Sequence, residues 1–234
     1  MNKKLELLYS KYFETLAKQA KGTNATHPLL IKVSDKYIDA DIRVMIVGQE
    51  TDGWNGLFET SKKDIKYLMN DYYHYLYNIS TDEKMERRLL KKKKRPFWNK
   101  KSFKFYEESI TKYFDNKKVA FIWNNISKIG KTSRGKQSKE IAKLEKSYFN
   151  DIFEEEVRIL KPNIIIFVTG NRTIPLSHKL LKNIKFEKVS KVDLEDYPNI
   201  IAVRTYHPNA RIEGGKRNLK YDILDIIYNN IENN

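Results

Sequence analysis

The sequence contains no cysteine, and this absence restricts the chemistry that the protein can perform. Disulfide bonds, thiolate nucleophiles, cysteine-ligated zinc sites and iron–sulfur clusters are all excluded. Histidine is also scarce, with 4 residues in a chain of 234. Any reaction must therefore depend on carboxylate, imidazole, amide and hydroxyl groups.

Long hydrophobic runs are missing as well, and no segment approaches the roughly 20 apolar residues that span a membrane. Residues 1–21 show the spacing of an amphipathic helix and lack the continuous apolar core of a secretory signal. No linker rich in proline, glycine or serine divides the chain, and no internal repeat is present. We therefore expect a single soluble, cytoplasmic domain over residues 1–234, monomeric and without membrane contact.

Acidic residues are in the minority, since 30 Asp and Glu face 45 Lys and Arg and leave a net charge of +15. Such an excess favours a polyanionic partner such as nucleic acid. The chain is also rich in Lys, Asn and Ile, so drift of an AT-biased coding sequence is the alternative explanation. Residues 82–101 contain the basic run Lys91–Arg95, which is either a solvated surface segment or an insertion that contacts phosphates.

Four short apolar, β-branched runs predict buried strands, and helical patterns separate them. This alternation is typical of a mainly parallel sheet with helices on both faces. We predict an α/β fold with three α/β/α layers and a mainly parallel, four-stranded central sheet. The predicted strands are Val44–Val47, Val119–Trp123, Ile164–Val168 and Ile200–Val203, with Phe186–Val192 as a candidate addition. The predicted helices cover about Lys62–Tyr77, Lys100–Phe114, Lys136–Leu160, Arg172–Leu181 and Arg217–Asn230.

Polar residues suited to catalysis follow three of these strands. Glu50 lies in the segment after the first strand, Asn124 follows the second, and His207 follows the last. Ligands of open α/β sheets bind at the carboxyl ends of the strands, so these side chains could face one substrate. A carboxylate can position a water, an imidazole can stabilise an oxyanion, and an amide can read a nucleobase edge. The alternatives are a surface or capping acid, a turn asparagine and a structural histidine.

Taken in order, these segments resemble the uracil-DNA glycosylase superfamily. Its well-characterised members carry GQDPY after the first strand, an asparagine ending an LLLN strand, and an HPSPLS loop. This chain carries GQETD, WNN and HPNAR at the corresponding places, and the resemblance extends from about Ile42 to Arg217. It implies the fold of that superfamily and the hydrolysis of an N-glycosidic bond in DNA, with base flipping and without a metal or cofactor.

The resemblance also implies a role for each matching residue. Glu50 would handle the attacking water, Asn124 would read uracil, and His207 would stabilise the departing base. Gln49 would bind a base carbonyl through its backbone amide, and Trp54 or Phe58 would stack on the flipped base. Contacts to DNA would come from Asn209, from Arg211 or Ile212 as a wedge, and from Lys216 and Arg217 at the start of the last helix.

The segment after the first strand departs from the family pattern. Glu50 is one methylene longer than the usual Asp, and a displacement of the water by about 1 Å can slow a reaction ~100-fold. Asp52 occupies the place of the Tyr that excludes the methyl group of thymine, so the identity of the base stays open. Two alternatives follow: a catalytically silent DNA- or nucleotide-binding protein of the same fold, and a hydrolase of free nucleosides or nucleotides.

Overall fold

The computed structural model describes residues 1–58, 63–77, 101–132, 138–149, 151–170, 189–207 and 219–232. The strands in these ranges are β1 (Ile42–Asp52), β2 (Val119–Lys131), β3 (Ile164–Phe167), β4 (Val189–Val192) and β5 (Ile201–Thr205). The helices are α1 (Asn2–Ala20), α2 (Asp35–Ile38), α3 (Ile65–Tyr77), α4 (Lys101–Tyr113), α5 (Lys139–Phe149), α6 (Ile152–Leu160) and α7 (Leu219–Glu232). None of these helices is both long enough and apolar enough to cross a membrane.

The five strands form one sheet in the order β2-β1-β3-β5-β4. All neighbours are parallel except β4, which runs antiparallel to β5. The predicted α/β class with a mainly parallel sheet is confirmed, but the sheet has five strands where four were predicted. The additional strand lies within the candidate segment Phe186–Val192. Val44–Val47 of β1 and Ile164–Phe167 of β3 are almost completely buried, as expected for central parallel strands covered on both faces.

Adjacent residues of β2 show that helices cover both faces of the sheet, because successive side chains in a strand point to opposite faces. The ring of Trp123 packs against Phe103 of α4, with 5.1 Å between the ring centroids. The next side chain, Asn124, donates to Glu156 of α6 at 2.9 Å. Helix α4 packs with α7, whereas α1 packs with α3, α5 and α6. We call these two sides of the sheet the α4 face and the α6 face.

The predicted helix Lys136–Leu160 is divided into α5 and α6. Apolar residues keep one helical spacing through both helices, so periodicity alone does not reveal the break. Asp151 is the N-cap of α6, and aspartate is a weak helix former that favours helix starts. The other predicted helices that fall in the described residues begin and end within a few residues of their predicted bounds. The predicted helix Arg172–Leu181 lies outside the described residues.

Strands β1 and β2 are longer than predicted, and their final parts extend beyond the rest of the sheet. The pairing of β1 with β3 ends at Val47 and Phe167, but β1 stays paired with β2 as far as Asp52 and Lys131. We call residues 48–52 and 124–131 the ribbon. Glu50, predicted to follow the first strand, instead lies within β1 and pairs with Ser127 inside the ribbon.

Candidate active site

The candidate site lies at the carboxyl edge of the sheet, where β1 and β3 are neighbours. From β1 the chain continues to β2 on one side, and from β3 it continues to β4 and β5 on the other side. The boundary between β1 and β3 is therefore the topological switch point of the sheet. Crevices that bind ligands form at such points. Gln49 bridges the two strands here, since its Nε2 atom donates to the carbonyl oxygen of Thr169 at 2.8 Å.

Gly48 allows two other groups to approach the backbone of β1 closely. A Cβ atom at this position would lie 2.3 Å from Cζ2 of Trp123 and 2.4 Å from Oδ1 of Asn125. Both distances are far shorter than van der Waals contact, so any side chain would displace the indole ring or the amide. The absence of a side chain at Gly48 thus shapes the floor of the site.

Strand register places Glu50 and Asn125 on the α4 face. Gly48 is paired with Asn125 and Glu50 with Ser127, and side chains two residues apart in a strand share a face. Trp123 lies on this face against Phe103, whose ring centroid is 6.2 Å from that of His207. Glu50, Asn125 and His207 are therefore on the same side of the sheet, at its carboxyl edge.

Asn124 does not join them, because its side chain points to the α6 face. It is completely buried, with its Nδ2 atom 2.9 Å from Oε2 of Glu156. The amide on the site's side is that of Asn125, which is 4% exposed and whose Oδ1 atom has no hydrogen-bond partner. Asn124 and Asn125 differ by one residue, and in a strand one residue reverses the face, so the structure does not bring the predicted Asn124 together with Glu50 and His207.

The two aromatic residues proposed to stack on a base are packed elsewhere. Phe58 is buried against Phe13 of α1 and His27, at centroid distances of 5.7 and 5.1 Å. Trp54 packs edge-on against Tyr75 of α3 at 5.4 Å. Helices α1 and α3 belong to the α6 face, so neither ring takes the predicted position. On the α4 face, the ring of Trp123 is partly exposed.

A buried cation lies at the same edge of the sheet. Arg204, near the end of β5, is 8% exposed, and its Nε atom donates to the carbonyl oxygen of Gly170 just beyond β3. Burial lowers the pKa of this guanidinium from its usual value, although an arginine stays charged at neutral pH. The hydroxyl of Thr169, the residue before Gly170, is also buried and has no hydrogen-bond partner among the described residues. This hydroxyl therefore has unused bonding capacity at the carboxyl edge.

A buried ionic cluster behind the site was not predicted from the sequence. We call Tyr9, Asn124, Lys128 and Glu156 the Lys128 cluster. The side chains of Lys128 and Glu156 are completely buried and form an ion pair, and Tyr9 donates to Oε1 of Glu156 at 2.7 Å. Burial lowers the pKa of Lys128, while the adjacent carboxylate opposes that shift. One signal was available: Glu156 falls on the apolar face of α6.

The predicted DNA-contacting residues Asn209, Arg211, Lys216 and Arg217 lie outside the described residues, as do residues 82–100 of the basic segment. Within the described ranges, no group of three or more His, Asp or Glu side chains could hold a metal ion. In the part of the chain that the structure describes, the candidate site consists of Gln49, the α4-face residues and the buried groups behind them.

No protein-family model matches the chain, and no curated protein matches it significantly.

Proposed function

We propose that this protein is a DNA glycosylase that removes uracil or a related damaged base by hydrolysis of the N-glycosidic bond. The observation that carries the proposal is the buried, unpartnered Oδ1 atom of Asn125 on the face that also holds Glu50 and His207. Leaving a buried acceptor without a donor costs about 1–3 kcal/mol. A ligand that supplies an N–H group to this oxygen would remove that cost.

The proposed chemistry assigns opposite charges to opposite ends of the breaking bond. Water adds to C1′ of the sugar while the base leaves with the bonding electrons, so positive charge develops on the sugar and negative charge on the base. Glu50 orients the water and stabilises the sugar cation, and His207 donates a hydrogen bond to the departing base.

Recognition of the base is assigned to Asn125 and Trp123. The Oδ1 atom accepts the ring N–H of uracil, whereas the corresponding ring nitrogen of cytosine has no hydrogen and would oppose one acceptor with another. The indole ring of Trp123 provides the flat surface on which the base stacks. Because these groups are recessed in the sheet edge, the base must first be flipped out of the duplex.

The test is incubation of the protein with uracil-containing, hypoxanthine-containing and undamaged oligonucleotides, followed by alkaline cleavage at abasic sites. We expect excision of at least one lesion and none from undamaged DNA. Glu50→Gln should lower the rate at least ~100-fold with DNA affinity nearly unchanged. It removes the attraction between the carboxylate and the sugar cation, which exists only in the transition state. Glu14→Gln, which alters an exposed acid of α1 on the opposite side of the sheet, is the matched control and should leave the rate unchanged.

Two outcomes separate the alternatives. Wild-type protein that binds DNA but excises no base, with Glu50→Gln without effect, would identify a silent binding protein. If the protein neither binds nor cleaves DNA, both the glycosylase and the silent DNA-binding hypotheses fail, and free nucleosides become the substrates to test.

A further inference from the structure

Side chains, rather than another strand, satisfy the outer edge of β2 around Asn125. Tyr72 donates its hydroxyl to the carbonyl oxygen of Trp123 at 2.6 Å. The backbone N–H of Asn125 donates to Oδ1 of Asn124 at 2.7 Å. Further along, Glu145 accepts the N–H of Lys128 at 2.7 Å. The position of the Asn125 backbone therefore depends on how the neighbouring Asn124 amide is held.

The Lys128 cluster leaves the Asn124 amide only one orientation. Its Oδ1 atom accepts from the ammonium group of Lys128 as well as from the Asn125 N–H, and its Nδ2 atom donates to Oε2 of Glu156. The second oxygen of Glu156 accepts from Tyr9, whose own oxygen accepts the N–H of Ile31 at 3.0 Å. Turning the amide over would set its –NH₂ group against the Lys128 ammonium and the Asn125 N–H, donor against donor, and its oxygen against the Glu156 carboxylate, acceptor against acceptor.

Stability alone does not account for such a cluster. Removing a Lys–Glu pair from water is costly, and replacement of a buried ion pair by apolar residues is often neutral or stabilising. What a buried, fully bonded network does supply is one defined geometry. Here that geometry is the backbone at residue 125, directly behind the unpartnered Oδ1 atom on the α4 face.

We infer that Lys128, Asn124 and Glu156 are positioning residues that hold the amide of Asn125 at the angle needed to read a base. This inference rests on the proposed function for its catalytic consequence, but not for the local geometry. The base contacts Asn125, and the cluster acts only through it. Because β2 is an edge strand, no neighbouring strand among the described residues bonds to the outer side of the Asn125 backbone, and the cluster takes that supporting role.

The first test is Glu156→Gln, which introduces an –NH₂ group at a carboxylate whose bonded neighbours are all donors. Either that group opposes a donor or the Asn124 amide turns over and withdraws its oxygen from the Asn125 N–H. We expect kcat for base excision to fall between ~10- and ~100-fold with KM for DNA unchanged, as for a small misplacement of a recognition group. The backbone amide resonance of Asn125 should shift, and its hydrogen exchange should accelerate.

The second test restores the pattern with the charge transposed. Asn124→Asp alone places two carboxylates side by side and should also be defective. Combined with Glu156→Gln, it keeps the net charge and again gives the Lys128 ammonium and the Asn125 N–H an acceptor, while the new amide at position 156 donates to the new carboxylate. That amide also faces the Lys128 ammonium, which donates to Oε2 of Glu156 in the wild type, so the restoration is partial. We expect the double variant to excise faster than either single variant and to return the Asn125 resonance toward its wild-type position.

Leu16→Ala is the control for stability, because Leu16 is a fully buried residue of α1 outside the cluster. It should lower the melting temperature and leave both kcat and the Asn125 resonance unchanged. The inference is overturned if Glu156→Gln alters neither, or if the double variant leaves the resonance no closer to wild type than Glu156→Gln does. If wild-type protein excises no base, the proposed function fails, and the Asn125 resonance in these variants still decides whether the cluster positions residue 125.

Discussion

Replacement of Gly48 by alanine gives the sharpest test of how the site is built. The added methyl group would lie 2.3 Å from Cζ2 of Trp123 and 2.4 Å from Oδ1 of Asn125, so each must move by about 1 Å to reach ordinary contact. Contacts already fix both groups, because the ring packs on Phe103 and the amide is buried. We expect Gly48→Ala to lower the free energy of unfolding by about 1–3 kcal/mol, as for other overpacked sites.

The effect on function should exceed the effect on stability. A displacement of about 1 Å in a group that recognises the reacting part of a substrate can lower the rate ~100-fold. Urea unfolding measures the stability, tryptophan fluorescence reports the displaced indole of Trp123, and the abasic-site assay measures excision. Because the first two measurements need no substrate, the steric prediction can be judged independently of the proposed activity.

Gly22→Ala is the matched control for this experiment. Gly22 has a φ angle of +81°, so an added side chain is strained, but no atom lies within 4 Å of it. This variant should lose about 1 kcal/mol of stability from backbone strain and retain normal fluorescence and excision. The steric reasoning is refuted if Gly48→Ala has wild-type stability and fluorescence.

Other predictions concern the buried charges, the buried tyrosines and the surface. Lys128→Met should destabilise the fold by about 3–5 kcal/mol in urea unfolding, because it leaves the Glu156 carboxylate buried without its cation, and adding Glu156→Gln should recover much of that loss. Burial raises the pKa of Tyr9, Tyr37 and Tyr72 well above 10, so these residues stay neutral in the native state while the unfolded chain ionises. Their contribution is complete below pH 10 and is lost as the pH rises further, by about 1.4 kcal/mol per pH unit for each tyrosine, and Tyr37→Phe should make the measured slope shallower by that amount. If the charge of +15 serves DNA binding, the affinity should fall steeply between low and physiological salt, whereas an insensitive affinity would favour compositional drift.

The local pattern of the sequence was enough to predict the α/β class and the approximate position of the buried strands. Runs such as Val44–Val47 and Ile164–Val168 are apolar without alternation, which is typical of strands covered on both faces. The helix bounds followed from apolar periodicity and from signals such as Pro162, which cannot continue a helix. These features depend on neighbours in the chain, so the sequence alone contains them.

Only the tertiary structure decided which asparagine faces the candidate site. The polar residues from Asn124 onward read as the end of a strand, because an exposed or unbonded polar run seldom continues inside a sheet. In the folded protein, Glu156 of α6 bonds to both Asn124 and Lys128, and Tyr9 of α1 bonds to Glu156, which lets β2 continue to Lys131. Strand continuation then fixes the alternation that turns Asn124 toward α6 and Asn125 toward α4. Bonds between distant segments leave no local periodicity, and for that reason sequence reasoning chose Asn124, whereas the folded chain turns Asn125 toward the face of Glu50 and His207.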